Sequence, residues 1–276
     1  MRFTPFKFLP FFLIFVELGC YPFRDSPFSD TLIRPERNLN ILNQSRVGPI
    51  ENDGLIRIAL LADSHQNYKD LDNVIGEINK VKDVDFVVNL GDFTNSGYNV
   101  EYDQFLEKNS KLKYPTLTVI GNHDALGAGR ALFKKAFGPA DFYFESEHIR
   151  FVFWNSANLE DEINFDVGWL RKSVAESSKP VIIFSHISLD DVERFEMHEQ
   201  VQLMNLLKDP KVFSSIYGHY HNHDFRSNAE GTLLVQCPRV EGNNWSLFEI
   251  DLEGFKVFRK GIGGSQSAKF KSSTFF

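Results

Sequence analysis

The chain has 276 residues, 42% of them hydrophobic, enough for one large domain or two small ones with a sizeable core. A formal charge of −7 argues against general attraction to a nucleic-acid backbone, so extended nucleic acid is a poor candidate partner. The only cysteines are Cys20 and Cys237, which rules out a disulfide framework and thiolate-rich zinc sites, so any metal must be held by carboxylate, imidazole and amide groups.

Residues 1–19 read as an export signal. Arg2 and Lys7 give a positive start, and residues 8–16 form an apolar run too short to span a membrane, which takes about 20 residues. Gly19-Cys20 then resembles the processing site of bacterial lipoproteins, with Glu17 departing from the apolar residue usual at that place. The expectation is lipidation of Cys20 and an exported, membrane-anchored protein at the bacterial cell envelope; ordinary export and a buried N-terminal segment are the alternatives. Residues 20–54 contain Pro22, Pro27, Pro35 and Pro49 among polar residues and read as a lipid-anchored linker or arm, with 39–42 able to pack locally. The globular unit is expected over 55–260, and 261–276 as a flexible tail.

Residues 56–62 read as a strand, and Leu71, Val74, Ile75, Ile78 and Val81 follow at the spacings of an amphipathic helix. Residues 86–90 and 116–120 are further strands, with a polar, partly helical stretch at 101–108 between them. A helix is expected at 130–137, adjacent strands at 142–144 and 149–154, and a helix at 165–174. Strands at 181–184 and 212–217 flank a helix within 193–207, and 233–235, 245–250 and 255–258 are the last strand candidates. This order predicts two sheets packed face to face with helices outside. The 28 phenylalanines fit core packing better than chemistry.

The polar groups follow the strands. Asp63-Ser-His65 ends the first, Gly91-Asp92 the second and Gly121-Asn122-His123-Asp124 the third; His186 and Gly218-His219-Tyr220-His221 end two later ones. Strand carboxyl ends can gather such donors at one sheet edge. Asp63 and His65, two apart, would point the same way on an extended strand end, and Asp92 has two oxygens with which to bridge two cations. Each motif alone is weak; the ordered set is specific.

This set resembles the calcineurin-like metallophosphoesterase family over approximately residues 56–255, with every motif of the family pattern present. The resemblance implies a four-layer αββα fold, a β-sandwich flanked by helices. It also implies Asp63, His65 and His221 on one metal, Asn122, His186 and His219 on the other, and Asp92 bridging. The ions would be divalent or mixed-valence manganese, iron or zinc. A hydroxide shared between ions about 3.5–4 Å apart would attack a phosphate ester. His123 would assist the leaving group, with Asp124 setting its tautomer. A phosphodiester is the preferred substrate and a phosphomonoester the alternative.

A non-catalytic, metal-stabilised binding lipoprotein is the rival class, opposed by retention of His123 and Asp124. No Gly-x-Ser-x-Gly turn supports a serine hydrolase, and no specific protein partner is indicated. Asn67, Asn95, Tyr220 and His223 are possible substrate neighbours. His148 and His198 read as surface residues, and Asp190-Asp191 as a solvated loop.

Overall fold

The structure, a computed structural model, describes residues 26–48, 53–157, 165–251, 254–261 and 263–269; the export segment and Cys20 lie outside them. The first half runs α1 (Leu39–Gln44), β1 (Ile56–Leu61), α2 (Tyr68–Ile78), β2 (Phe86–Asn89), α3 (Asn99–Asn109), β3 (Thr116–Thr118) and α4 (Gly129–Ala136). A second set follows: β4 (Phe142–Glu145), β5 (Arg150–Phe153), α5 (Val167–Ala175), β6 (Val181–Phe184), α6 (Met197–Leu207), β7 (Val212–Tyr217), β8 (Asp224–Ser227) and β9 (Leu233–Gln236). The chain then returns to the first sheet through β10 (Trp245–Ile250), β11 (Gly254–Lys260) and β12 (Ser265–Lys269).

Two six-stranded sheets result, ordered β12-β11-β10-β1-β2-β3 and β4-β5-β6-β7-β9-β8. Strands β1, β2 and β3 are mutually parallel, as are β5, β6, β7 and β9. Strand alternation divides the apolar residues between layers. In β1, Ile58 and Leu60 enter the core between the sheets, while Ala59 and Leu61 face the helices. Leu71, Val74, Ile75 and Ile78 of α2 meet that outer face with residues of α3 and α4. Leu170 and Val174 of α5 and Leu203 and Leu207 of α6 cover the second sheet. This is the four-layer αββα arrangement.

Phenylalanines fill much of the sandwich. Phe142 stacks on Phe153 at 4.5 Å between centroids, Phe153 on Phe184 at 4.8 Å, and Phe144 on Phe151 at 5.0 Å. Such offset contacts add to the burial of large apolar surfaces.

The chain departs from its sequence reading at three places. Residues 26–48 are docked on the domain: Asp103 accepts the Ile33 and Arg34 amides, and Leu32 is buried. Helix α1 closes the open edge of β3 with side-chain amides. Asn40 Nδ2 donates to Thr118 O at 2.9 Å, Thr118 N–H donates to Asn40 Oδ1 at 2.8 Å, and Asn43 Nδ2 donates to Thr116 O at 2.8 Å. Asparagines thus do the work of a neighbouring strand. At the other end, Ser265–Lys269 forms edge strand β12, paired with β11, within the stretch expected to be loose. Its polar sequence carries no alternation signal. Strand β8 (DFRS) was hidden for the same reason.

Replacing Asn40 by Ala strands a buried N–H and C=O on Thr118. Stability in denaturant titration is expected to fall by about 1–3 kcal/mol with an unchanged m-value. An unaltered midpoint would show that the amide pairing contributes nothing.

Candidate metal centre

The two parallel strand sets end on one side of the sandwich, and the polar residues beyond them converge there. Asp63, His65 and His221 place donor atoms within 4.8 Å of one another, as do Asp92, His186 and His219. A third overlapping group is His65, Asp92 and His123. Asp92 stands between the first two groups: its Oδ2 lies 3.1 Å from His186 Nε2 and 3.7 Å from His65 Nε2. Asn122 Oδ1 lies 3.1 Å from His186 Nε2, and His221 Nε2 lies 3.6 Å from Asp63 Oδ1.

The rings are aimed by main-chain carbonyls. His186 Nδ1 is 2.7 Å from Leu90 O and His65 Nδ1 is 3.2 Å from Thr94 O. An Nδ1–H donated to a carbonyl leaves Nε2 as the ligating atom, a usual way of orienting a metal-bound imidazole. Around His186 Nε2 stand Asp92 Oδ2, Asn122 Oδ1 and His219 Nδ1, the last at 3.2 Å. A nitrogen ringed by electron-pair donors suits a cation. The donor set is oxygen and imidazole without thiolate, which fits two divalent ions.

Backbone geometry brings the donors together. Asp63, His65, Asp92, His219 and His221 all have positive φ, 52°, 41°, 52°, 69° and 65° respectively. Pleat alternation therefore does not set the directions of Asp63 and His65; left-handed backbone at Asp63, His65 and Gln66 beyond β1 does. Each such residue costs about 1–3 kcal/mol, and such strain gathers at functional sites. Gly91, at φ 96°, and Gly121 let the β2 and β3 loops touch. A Cβ on Gly121 would lie 2.1 Å from Asp92 Oδ1, and one on Gly91 would lie 2.6 Å from Gly121 N.

Asp124 corrects the sequence reading. Its Oδ2 accepts the Asp92 and Gly121 amides at 2.7 and 2.9 Å, and its Oδ1 accepts the Thr94 amide and hydroxyl at 2.8 and 2.9 Å. These bonds turn the carboxylate to the loops, so it does not set the His123 tautomer. That function falls to Asn95, whose carbonyl is 2.7 Å from His123 Nδ1. The His123 amide donates to Asp92 Oδ1 at 2.9 Å. Sequence reasoning missed Thr94, Leu90 and the Asn95 carbonyl, because main-chain acceptors leave no residue signature. It also missed Glu101, which accepts the Ser96 and Tyr98 amides at 3.1 and 2.9 Å and fixes the loop carrying Asn95.

Other candidates lie elsewhere or act differently. Asn67 caps α2, accepting the Asp70 amide at 3.4 Å. His198 is exposed beside Glu196, and His148 is partly buried. His223 is partly buried, and among the described residues neither ring nitrogen has a hydrogen-bond partner. Asp190 and Asp191 form a structured wall and are not a solvated loop, because Arg226 grips Asp190 and Tyr220 bonds to Asp191.

Charge in the metal-free centre is finely divided. Burial pushes Asp63 up to about 8 and Asp124 up to about 7. Burial also opposes the charge on Asp92, but His186 outweighs it and holds that carboxyl well below the usual range. Burial works against the His186 imidazolium, yet Asp92 wins and raises it to about 9. Burial lowers His219 to about 3, and it also lowers His65 and His221.

A family model described as calcineurin-like phosphoesterase matches residues 56–227. A probable glycerophosphodiester phosphodiesterase of Arcobacter nitrofigilis is 25% identical over 224 residues, covering 65% of this chain and 80% of that one. A dimetal phosphatase from Danio rerio superposes with a TM-score of 0.61 at 15% identity, covering 81% of this chain and 100% of its own. GAP50, the anchor in the inner membrane complex of Plasmodium, also superposes at 0.61, with 16% identity and coverage of 80% and 90%.

Burial favours a proton on Asp63, and the neighbouring Asp92 favours one on His186. Metal uptake is therefore expected to release protons. Apparent affinity should climb about tenfold per pH unit for each proton displaced, until both groups have lost their protons. Calorimetry in buffers of different ionisation enthalpy measures the release, and a binding enthalpy independent of buffer would contradict it.

Proposed function

The chain belongs to the calcineurin-like phosphoesterase family and is a metal-dependent phosphoesterase, and from that premise we propose that it hydrolyses phosphodiesters with His123 assisting the leaving group. Asp63, His65 and His221 would hold one ion and Asn122, His186 and His219 the other, with Asp92 shared. The bound pair supplies an activated water and neutralises charge on the phosphoryl oxygens.

The observation that carries the reading is the setting of His123. Its Nδ1–H is committed to the Asn95 carbonyl, which leaves Nε2 without a hydrogen bond among the described residues, and His65 and Asp92 are its neighbours. A protonated ring can give Nε2–H to the departing alkoxide and then recover a proton from solvent. The Asp92 carboxylate fixes the same residue through its amide, so acid and donor cluster keep one register.

Two features support a diester. The relative from Arcobacter nitrofigilis is described as a phosphodiesterase. Among the described residues, Asp190, Asp191, Glu193 and Asp224 outnumber Arg194 and Arg226 on that side of the cleft, although Arg194 acts on His219 more strongly than Asp191 does. A phosphomonoester is largely dianionic near pH 7, since its second pKa is about 6, whereas a diester carries one charge. Acidic walls therefore penalise the monoester more.

The location belongs to the same proposal. Arg2, Lys7, the apolar run at 8–16 and Gly19-Cys20 support export and lipidation of Cys20, which would tether the domain at the cell envelope.

With added Mn²⁺, bis(p-nitrophenyl) phosphate is expected to be cleaved faster than p-nitrophenyl phosphate. His123→Ala is expected to cost about 10²–10⁴-fold in rate with metal content retained. The loss should be greatest for alkyl leaving groups, which most need a proton. Wild-type rates in that variant on an alkyl diester would remove His123 from the mechanism. For the anchor, the full chain made in a bacterium should incorporate labelled palmitate and sediment with membranes. Labelling that survives Cys20→Ala would exclude lipidation at that residue.

A further inference from the structure

Next to the donor cluster lies a cavity of about 450 Å³, within the range of about 300–1,000 Å³ usual for small-molecule sites. Separate segments wall it: Asp190, Asp191 and Glu193 from the loop after His186, Tyr217 and Tyr220 around the end of β7, and Arg226 on β8. It adjoins the centre directly. Tyr220 sits between His219 and His221 in sequence, and its ring stands edge-on to His219 at 4.9 Å between centroids. One turn thus supplies both metal-site donors and a pocket wall.

The wall is built to hold its shape. Arg226 grips Asp190 through two nitrogens at 2.8 and 3.1 Å, and Ser188 Oγ donates to the same carboxylate at 2.5 Å. Arg226 Nη2 also reaches the Tyr217 hydroxyl at 3.3 Å. Asp191 is different, because its donors are neutral: the Glu193 and Arg194 amides at 2.7 and 3.1 Å and the Tyr220 hydroxyl. Arg226 is shared with Asp224 at 3.0 Å, so among the described residues the carboxylates of Asp190, Asp191, Glu193 and Asp224 outnumber the cations Arg194 and Arg226. Tyr217 and Tyr220 meet at 87° with centroids 6.0 Å apart; Tyr217 is buried at 1% exposure, so the exposed Tyr220 ring is the aromatic face beside this excess negative charge.

We infer that this pocket receives a cationic, alkylammonium-bearing arm of the diester, so that zwitterionic phosphodiesters are preferred over neutral-armed ones. The inference rests on the diesterase reading above. An aromatic ring such as that of Tyr220 attracts an ammonium group through its quadrupole, and Asp191, whose hydrogen-bond donors among the described residues are neutral, adds to that attraction. The phosphoryl group at the donor cluster and the ammonium in the pocket would then be joined by a short spacer, each end meeting opposite charge. The acidic wall turns away arms that carry further phosphates.

Two isosteric diesters test this on the metal-loaded wild-type protein: p-nitrophenyl phosphorylcholine and p-nitrophenyl 3,3-dimethylbutyl phosphate, which replaces the ammonium nitrogen by carbon. The expected result is a kcat/KM about tenfold or more higher for the choline ester, a difference of about 1.4 kcal/mol. Asp191→Asn and Tyr220→Leu should each draw that ratio toward unity. Equal rates on the two isosteres, or cleavage of bis(p-nitrophenyl) phosphate alone, overturn the pocket assignment and leave the diesterase reading standing. A protein inert toward all three diesters overturns both.

Discussion

Burying carboxyl groups side by side is the constraint on which this molecule turns. Asp63, Asp92 and Asp124 are 2%, 1% and 0% exposed, at the meeting of loops from both sheets. Burial and mutual repulsion oppose ionising all three, unless positive charge or directed N–H groups join them. The fold answers differently for each. Asp124 takes three main-chain amides and a hydroxyl, Asp92 takes the His186 ring and the His123 amide, and Asp63 takes the His219 amide. Those bonds leave the metal-free centre short of positive charge, which divalent ions supply.

Such a centre needs loops held as firmly as the strands beneath them. The left-handed residues at five donors have an energetic cost that only dense surroundings can offset. Those surroundings are supplied in layers. Phe86 of the first sheet meets Phe144 and Phe151 of the second across the sandwich, and the helices seal the outer faces. Asn40 and Asn43 of α1 close the exposed edge of β3, whose continuation carries Asn122 and His123. Asp124 then joins the β2 loop to the β3 loop, so a shift in one strand end is passed to the other. Stability and site geometry are thus coupled through a few side-chain to main-chain bonds.

Much of this was legible in the sequence, because each motif keeps its donors within a few residues of a strand end. Strand positions followed from apolar runs, and the convergence of the motifs followed from parallel order. What the sequence hid was of two kinds. Polar edge elements such as β8 and β12 lack hydrophobic alternation, since one face is solvated and the strand only completes a sheet. Side-chain bonds to distant main chain were equally invisible. Asp124 reads as a partner for its neighbour His123 until the structure turns it toward Asp92, Thr94 and Gly121. The motif Asp63-Ser-His65 pointed to joint ligation, but through pleat geometry that the positive φ values replace.

Architecture alone would not separate a catalyst from a scaffold. The same sandwich superposes equally well on a dimetal phosphatase and on a membrane-complex anchor, both at a TM-score of 0.61. Folds host unrelated functions, and the residues at the site decide among them. Here the decisive contrast is between Asp124 and His123, neighbours in sequence with opposite employment. Asp124 is fully buried and spends its carboxylate on main-chain amides, as a purely structural residue would. His123 is only partly buried; its amide and Nδ1 are committed, while Nε2 has no hydrogen bond among the described residues. A scaffold would gain nothing from orienting a ring so closely and leaving its outer nitrogen unspent. Proton transfer to a leaving group needs that combination: a fixed ring, an available nitrogen, and a donor cluster alongside.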